Sequence, residues 1–438
     1  MAAEPYATWL LEQEARALLT RLARVRPFVL HEPMVPAAAV STAAQTAIER
    51  YLSDGRRELR VRVLRYLQWL RSPLGRRAAP EEAQRRFTFL RLRFNTVLSQ
   101  FDLFGDVLTQ RSEHGTGVWL SGLDVVSADA LELPGAYFDA PPVICYVDRG
   151  HGAAIRRART RLPGGGENPV AIIRVPRERM VGSGIASSLV HEVGHQGAEL
   201  LGLVNSLRPI LQGLQKTAGP ERTVWHLWER WISEIVADLW SVARVGVTST
   251  MGLMGVVSLP RAFVFRGSME DPHPIPWIRV LLSCAMGNAL YPHPQWERLV
   301  RVWDSFYPVG DDLPPEKQQL LAQLRGGIPA FVQLLVHHRP ESLRGKALHE
   351  AFAVAERQPA RLAAVFRASR GSFHRLRSLP PSFAFAVVGQ AKADGRITPE
   401  AESKLLADLL TFWALRRTLD TSALATARPP ARTLALAS

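Results

Sequence analysis

Residues 190–200 read Val-His-Glu-Val-Gly-His-Gln-Gly-Ala-Glu-Leu. His191 and His195 stand four apart. On a helix both imidazoles then project from one face, one turn apart, where they can share a metal ion. Glu192, between them, can serve as general base toward a water, so this order of residue types points to metal-assisted hydrolysis. With 12 histidines in 438 residues the pattern is informative without being decisive. Its setting adds to it. The same segment carries Ile185, Leu189, Val190, Val193, Leu200 and Leu201. Two imidazoles and a carboxylate buried among these need partners, and a divalent cation is the natural one.

A catalytic zinc site takes a third protein ligand and keeps one position open. Residues 231–240, Trp-Ile-Ser-Glu-Ile-Val-Ala-Asp-Leu-Trp, supply a candidate. Glu234 and Asp238 are again four apart on one helix face. They too are set among apolar residues: Trp228, Trp231, Ile235, Leu239, Trp240 and Val242. Two acids buried in this way are costly unless something cationic meets them. Glu234 as third ligand and Asp238 as acceptor from a ligating histidine would satisfy both. The competing reading is a pair of surface carboxylates facing arginines such as Arg230.

His191-Glu192-x-x-His195 followed by Glu234-x-x-Ala237-Asp238 resembles the gluzincin zinc metallopeptidases. The Glu-x-x-Ala-Asp form is most similar to their CAAX-prenyl-protease-like branch. That branch also carries a downstream His-Pro followed by an Arg on a helix. Asp271-Pro272-His273-Pro274-Ile275-Pro276-Trp277-Ile278-Arg279 fits this loosely. The resemblance spans roughly residues 140–290. It lacks the membrane helices common in that branch and includes an insertion-like stretch, Asn205 to Arg222.

The resemblance implies a zincin-like core and peptide-bond hydrolysis. It makes His191, His195 and Glu234 ligands of Zn2+, and Glu192 the base that passes a proton to the leaving amine. Asp238 would orient His191. His273 and Arg279 are favoured over Tyr291 and His293 as the groups that stabilise the oxyanion. The strand Val170–Val175 would be an edge strand to which an extended peptide substrate adds.

The elements that must position these residues are mostly helical. Ser183 to Leu203 and Thr223 to Val245 read as helices, with Gly182 and Ser183 as start signals of the first and Thr223 as N-cap of the second. Val143–Val147 and Val170–Val175 are β-type runs bounded by prolines, separated by the flexible loop Pro163-Gly164-Gly165-Gly166. That loop lacks the Lys-Ser/Thr ending of a phosphate cradle. Trp9–Leu22, Ala43–Leu70 and Glu81–Leu108 repeat apolar residues at helical spacing, with Arg-rich opposite faces. Residues 311–422 are helical again, broken at Gly326-Gly327, Pro340 and Pro380-Pro381, and the Ala/Thr/Pro-rich stretch from Ala423 reads as a disordered tail. The expected fold is mainly α with a small sheet (α+β). A metallopeptidase region at 113–310 is flanked by helical regions at 1–112 and 311–422.

Several features carry less. His337-His338 and His349-Glu350 have no matching partner pattern and read as ordinary residues. Ala391 to Ile397, with Glu400 and Glu402, lacks the acidic alternation of a calcium loop and reads as a turn opening a helix at Thr398-Pro399. Trp225, Trp228 and Trp231 form a stripe better explained by core packing than by base stacking.

Composition bounds the rest. A 47% hydrophobic and 21% charged chain can bury a full core. Cys145 and Cys284 cannot build a disulfide framework, and two buried thiols in a reducing compartment fit a cytoplasmic protein. The N-terminus lacks a signal-peptide pattern, and Val245–Phe265, the most apolar stretch, reads as buried core rather than a membrane span. The net charge of +14 has two readings. Of the 54 basic residues 49 are arginine, as a GC-rich coding bias would give. Alternatively the Arg-rich helices bind an acidic partner. The expected function is a zinc metallopeptidase acting on a peptide or protein, with no specific nucleic acid partner. The alternatives are an inactive structural zinc protein and a basic binding protein for nucleic acid or anionic lipid.

Overall fold

A computed structural model describes residues 5–25, 33–148, 153–163, 165–176, 182–217, 219–267 and 271–426. The chain is mainly helical with one small sheet. It divides into two compact units, Met1–Val118 with Arg157–Ala171, and Trp119–Arg156 with Ile172–Ser438.

The first unit is built on α1 (Pro5–Arg24), α2 (Thr42–Arg71), the short α3 (Pro73–Arg77) and α4 (Pro80–Thr109). Helical periodicity makes these elements. On α2, Leu52, Leu59, Val63, Tyr66, Leu67 and Leu70 are buried, while Arg57, Arg60, Arg62 and Arg65 face solvent or its margin. On α4 the phenylalanines at 87, 94 and 101, seven apart, share the buried face. Local chemistry sets the ends. The Ser41 hydroxyl accepts from the Ala44 N–H, and Ser72 accepts from the Gly75 N–H where α2 gives way to α3. Pro73 and Pro80 occupy first-turn positions that need no N–H. In the segment Arg157–Ala171, Gly165 and Gly166 take positive φ in a turn closed by Leu162.

The second unit carries the sheet, β1 (Val143–Asp148), β2 (Ala154–Arg156) and β3 (Ala171–Pro176), in the order β1-β3-β2. β2 and β3 are antiparallel, with Ile155 opposite Ile173. β3 is therefore the central strand. This corrects the expectation that Val170–Val175 forms an open edge: both of its sides are already hydrogen-bonded.

Around the sheet the chain is helical. α5 (His114–Leu131) leads into it, and α6 (Gly184–Leu200), α7 (Leu203–Thr217), α8 (Arg222–Val245) and α9 (Val247–Val257) follow it. The remainder comprises α10 (Arg261–Val264), α11 (Pro276–Leu290), α12 (Pro294–Phe306), α13 (Pro315–Val336), α14 (Leu348–Ala351), α15 (Pro359–Ser369), α16 (Phe373–Leu376), α17 (Pro381–Ala393) and α18 (Pro399–Thr426). The helices from residue 311 onward lie in the same compact unit as α6 and α8.

Several boundaries differ from the sequence reading. α8 begins at Arg222, directly after a 3-10 turn over Gly219–Glu221, so Thr223 is inside the helix and caps nothing. Gly326-Gly327 does not break α13. Helix continues through both glycines and Pro329, held by buried Leu324, Ile328 and Phe331. The stretch 245–265 is core at both ends but not throughout. Val247 to Thr250, Val264 and Phe265 are buried, but Phe263 is 51% exposed. No helix among the described residues is long and apolar enough to cross a membrane. α18 runs to Thr426, and the rest of the expected tail lies outside the described residues.

Within this unit α6 and α8 approach each other closely. A Cβ on Gly194 would lie 2.8 Å from the Ala237 carbonyl oxygen and 2.9 Å from its Cα. One on Gly197 would lie 2.4 Å from the Trp240 ring. Trp240 cannot retreat, because it is fully buried and its indole N–H donates to the Ala130 carbonyl at 3.0 Å. Farther along α8, Trp228 stacks on Phe331 of α13 with ring centroids 4.8 Å apart, so the tryptophan stripe is core packing.

Two measurements check this packing. Gly194→Ala and Gly197→Ala force backbone or a trapped indole to move, and each is expected to destabilise by about 1–3 kcal/mol in chemical denaturation. Cys145 and Cys284 are buried free thiols, and burial pushes Cys284 up to about 12. Both are expected to resist a thiol reagent in the native protein and to react after unfolding, because the thiolate is the reactive species.

Candidate metal centre

Three helices and one loop meet at the residues singled out by their spacing. α6 carries His191, Glu192 and His195; α8 carries Glu234 and Asp238; α11 carries Arg279; the loop before α11 carries His273. One nitrogen from each of His191 and His195 and one Glu234 oxygen all lie within 4.8 Å of one another. His191 Nε2 is 3.2 Å from Glu234 Oε2, and His195 Nε2 is 3.4 Å from Glu234 Oε1.

This donor set fits a metal ion on two counts. The two histidine–carboxylate separations, each to a different Glu234 oxygen, are close to the about 3.3–3.4 Å between ligand atoms bound at about 2.0–2.1 Å to a tetrahedral ion, and two histidines with one carboxylate is a catalytic zinc ligand set. Both imidazoles also have their outer nitrogens engaged. His191 Nδ1 lies 2.8 Å from Asp238 Oδ1, and His195 Nδ1 lies 3.5 Å from the Ser233 hydroxyl. A proton on His191 Nδ1 shared with Asp238 fixes the tautomer that leaves Nε2 with a free lone pair.

Asp238 in turn is held by Arg279. The guanidinium donates from Nε to Oδ2 at 2.7 Å and from Nη2 to Oδ1 at 2.9 Å. Nη2 also lies 3.5 Å from the His191 ring nitrogens and 3.6 Å from Glu234 Oε2. Arg279 thus binds the residue that orients His191, and its fork is turned toward Asp238 rather than toward open space.

His273 is different. It is 54% exposed, its Nδ1 and backbone N–H both meet Asp271 Oδ1 at 2.9 Å, and its Nε2 lies 3.6 Å from Glu234 Oε2. Asp271 therefore orients His273 at the rim with Nε2 toward the cluster.

The charges are strongly coupled. Burial opposes a charge on His191, but the Asp238 carboxylate, followed by Glu234, outweighs it and carries the imidazole up to about 9. Burial drives His195 down to about 4, with the His191 charge adding to the effect. Burial also raises the Glu192 carboxyl. It would raise the other two acids as well, but His191 holds Glu234 at about 2, and Arg279 with His191 holds Asp238 well below the usual carboxylate range. Three carboxyl groups gathered with two imidazoles around Arg279 form a setting suited to a divalent ion.

Two candidates lie elsewhere. Tyr291 is fully buried and donates to the Ala243 carbonyl at 2.6 Å. His293 caps α12, its Nδ1 accepting from the Gln295 N–H at 3.2 Å. His337 and His349 likewise donate through Nδ1 to the backbone carbonyls of Gln333 and Val336.

Sequence reasoning missed Ser233, Asp271, Arg174 and Glu402. Arg174 of β3 contributes to the electrostatics of Glu192. Glu402 is 1% exposed; its Oε1 accepts from the Ser183 N–H at 3.2 Å and its Oε2 from Lys392 at 2.8 Å. It supplies the N-terminal cap that the Ser183 side chain does not. Only Asp271, two residues before His273, left a readable local signal.

Comparison with protein-family models, with curated proteins and with solved structures returned no match.

The Arg279–Asp238 pair has a measurable consequence. Asp238→Ala leaves a buried guanidinium unpaired and Arg279→Ala leaves a buried carboxylate without its main partner, so each is expected to cost about 3–5 kcal/mol. The double variant is expected to cost clearly less than the two together in urea denaturation, and strict additivity would refute the coupling.

Proposed function

We propose that this chain is a zinc-dependent metallopeptidase that hydrolyses peptide bonds in a peptide or protein substrate. The observation that carries the reading is the convergence of His191 and His195 Nε2 on the Glu234 carboxylate, with Glu192 buried one residue after His191. The similarity of the motifs to the gluzincins, and to their CAAX-prenyl-protease-like branch, supports it.

Bound at His191, His195 and Glu234, zinc would supply Lewis acidity toward the scissile carbonyl and ease the deprotonation of water. The protein's residues do the remaining work. Glu192, its basicity raised by burial, accepts a proton from the attacking water and delivers it to the departing nitrogen. The water oxygen joins the carbonyl carbon, the C–N bond breaks, and the products are a carboxylic acid and an amine. Asp238 keeps His191 in the ligating tautomer, and Arg279 keeps Asp238 ionised. His273, held by Asp271 and open to solvent, would donate a hydrogen bond to the oxyanion.

A substrate adding to the sheet would do so along β1 or β2, since β3 is enclosed. The two buried free thiols suit a reducing, cytoplasmic setting.

Elemental analysis and a peptide library test the reading together. The wild type is expected to hold one zinc per chain and to cleave. Glu192→Gln should keep the metal and lose about 10²–10⁴ of the rate, the range of general base catalysis. Glu234→Ala should lose both metal and activity. A zinc-loaded wild type no more active than Glu192→Gln would reduce the site to a structural staple.

A further inference from the structure

The first unit carries a second feature, independent of the metal centre. It holds 21 of the chain's Arg and Lys residues against 13 Asp and Glu, and every one of the 21 is arginine. Nine of the sixteen large hydrophobic side chains exposed among the described residues also belong to it. Excess cationic charge and exposed apolar surface therefore coincide in one unit.

They meet in a groove of about 460 Å³ between α1 and α2. Each wall is a single helical stripe. Leu19, Leu22 and Ala23 stand at i, i+3 and i+4 on α1. Ser53, Arg56, Arg57, Arg60 and Leu64 stand at i, i+3, i+4, i+7 and i+11 on α2. One wall is thus aliphatic, and the other bears three guanidinium groups ending on Leu64, which is 44% exposed. The volume lies within the about 300–1,000 Å³ of small-molecule sites.

The arginines are poorly matched from within. Arg56 Nε is shut off from solvent with no hydrogen-bond partner among the described residues. Arg57 has only a solvent-exposed contact with Asp54 at 3.6 Å, of the kind that contributes little. Glu49, one turn before Ser53, accepts from the Ser53 hydroxyl through Oε1 at 3.5 Å, its Oε2 has no hydrogen-bond partner among the described residues, and it does not line the groove. The planar forks of arginine suit a phosphate or carboxylate, and the facing leucines suit a hydrocarbon chain.

We infer that the α1–α2 groove binds a single-chain anionic amphiphile, its acyl chain along Leu19, Leu22 and Leu64 and its phosphate or carboxylate on Arg56, Arg57 and Arg60. Its recognition needs both halves of the ligand at once.

Calorimetric titration of the full-length protein tests this with four probes below their aggregation limits: lysophosphatidic acid, oleate, glycerol 3-phosphate and a monoacylglycerol. Saturable binding of lysophosphatidic acid, of oleate or of both is expected, and the two arms separate a phosphate from a carboxylate head. The head alone and the chain alone are expected to bind at least about tenfold more weakly, since each lacks one class of contact. Arg56→Gln/Arg60→Gln and, separately, Leu64→Glu fall outside the buried stripe of α2 and are expected to weaken the binding by about tenfold or more with the helical circular dichroism unchanged. Binding of monoacylglycerol or glycerol 3-phosphate as tight as that of the anionic amphiphiles would overturn the inference. So would unchanged affinity in both variants, or the absence of saturable binding to either anionic lipid.

Discussion

Everything at the candidate metal centre depends on how closely α6 and α8 approach. The ligand atoms of His191, His195 and Glu234 can converge only if the two backbones nearly touch, and Gly194 against Ala237 lets them. The two small residues are part of the same short motifs that carry the ligands. Gly194 lies one residue before His195, and Ala237 lies one residue before Asp238. Trp240, pinned by the Ala130 carbonyl, fills the space beside Gly197 and fixes the separation from the other side. The motif is as much a packing device as a donor set.

Close approach creates an electrostatic problem that the surroundings then solve. It brings Glu192, Glu234 and Asp238 together in a largely dry space. Arg279 answers for Asp238, Asp238 answers for His191, and the two Nε2 atoms of His191 and His195 are left beside the Glu234 carboxylate. A buried ion pair of this kind is weak evidence for stability, since desolvation offsets much of the attraction. Its evident use is directional: a bidentate fork leaves Asp238 one orientation, and that orientation leaves His191 one tautomer.

What the sequence made legible follows from range. Spacings of four on a helix are local geometry, so the pairs His191/His195 and Glu234/Asp238 could be read directly, as could the three long amphipathic helices of the first unit. The place of Val170–Val175 in the sheet could not, because strand order depends on pairing with distant segments and a run of Ile and Val reads alike at an edge or in the centre. Gly326-Gly327 looked like a break because intrinsic propensity was weighed without the tertiary packing of Ile328 and Phe331, which overrides it. The resemblance points to Arg279 as an oxyanion group, whereas the fork it forms with Asp238, 41 positions away, has no sequence signature.

The same reasoning explains why the helices beyond residue 311 belong with the centre. α6 is anchored at both ends from that region. Glu402 of α18 accepts from the Ser183 N–H at its start, and the Ser342 hydroxyl donates to the Leu201 carbonyl at its end at 2.6 Å. Glu402 also places negative charge at the positive end of the helix dipole, with Lys392 compensating it. Phe331 of α13 meanwhile backs α8 through Trp228. An ion bound by residues of two helices requires that neither slide, and a shift of one residue would turn His191 and His195 away from Glu234 by about 100°. The C-terminal helices are thus a frame for the register of α6 and α8, and Glu402 is part of that frame.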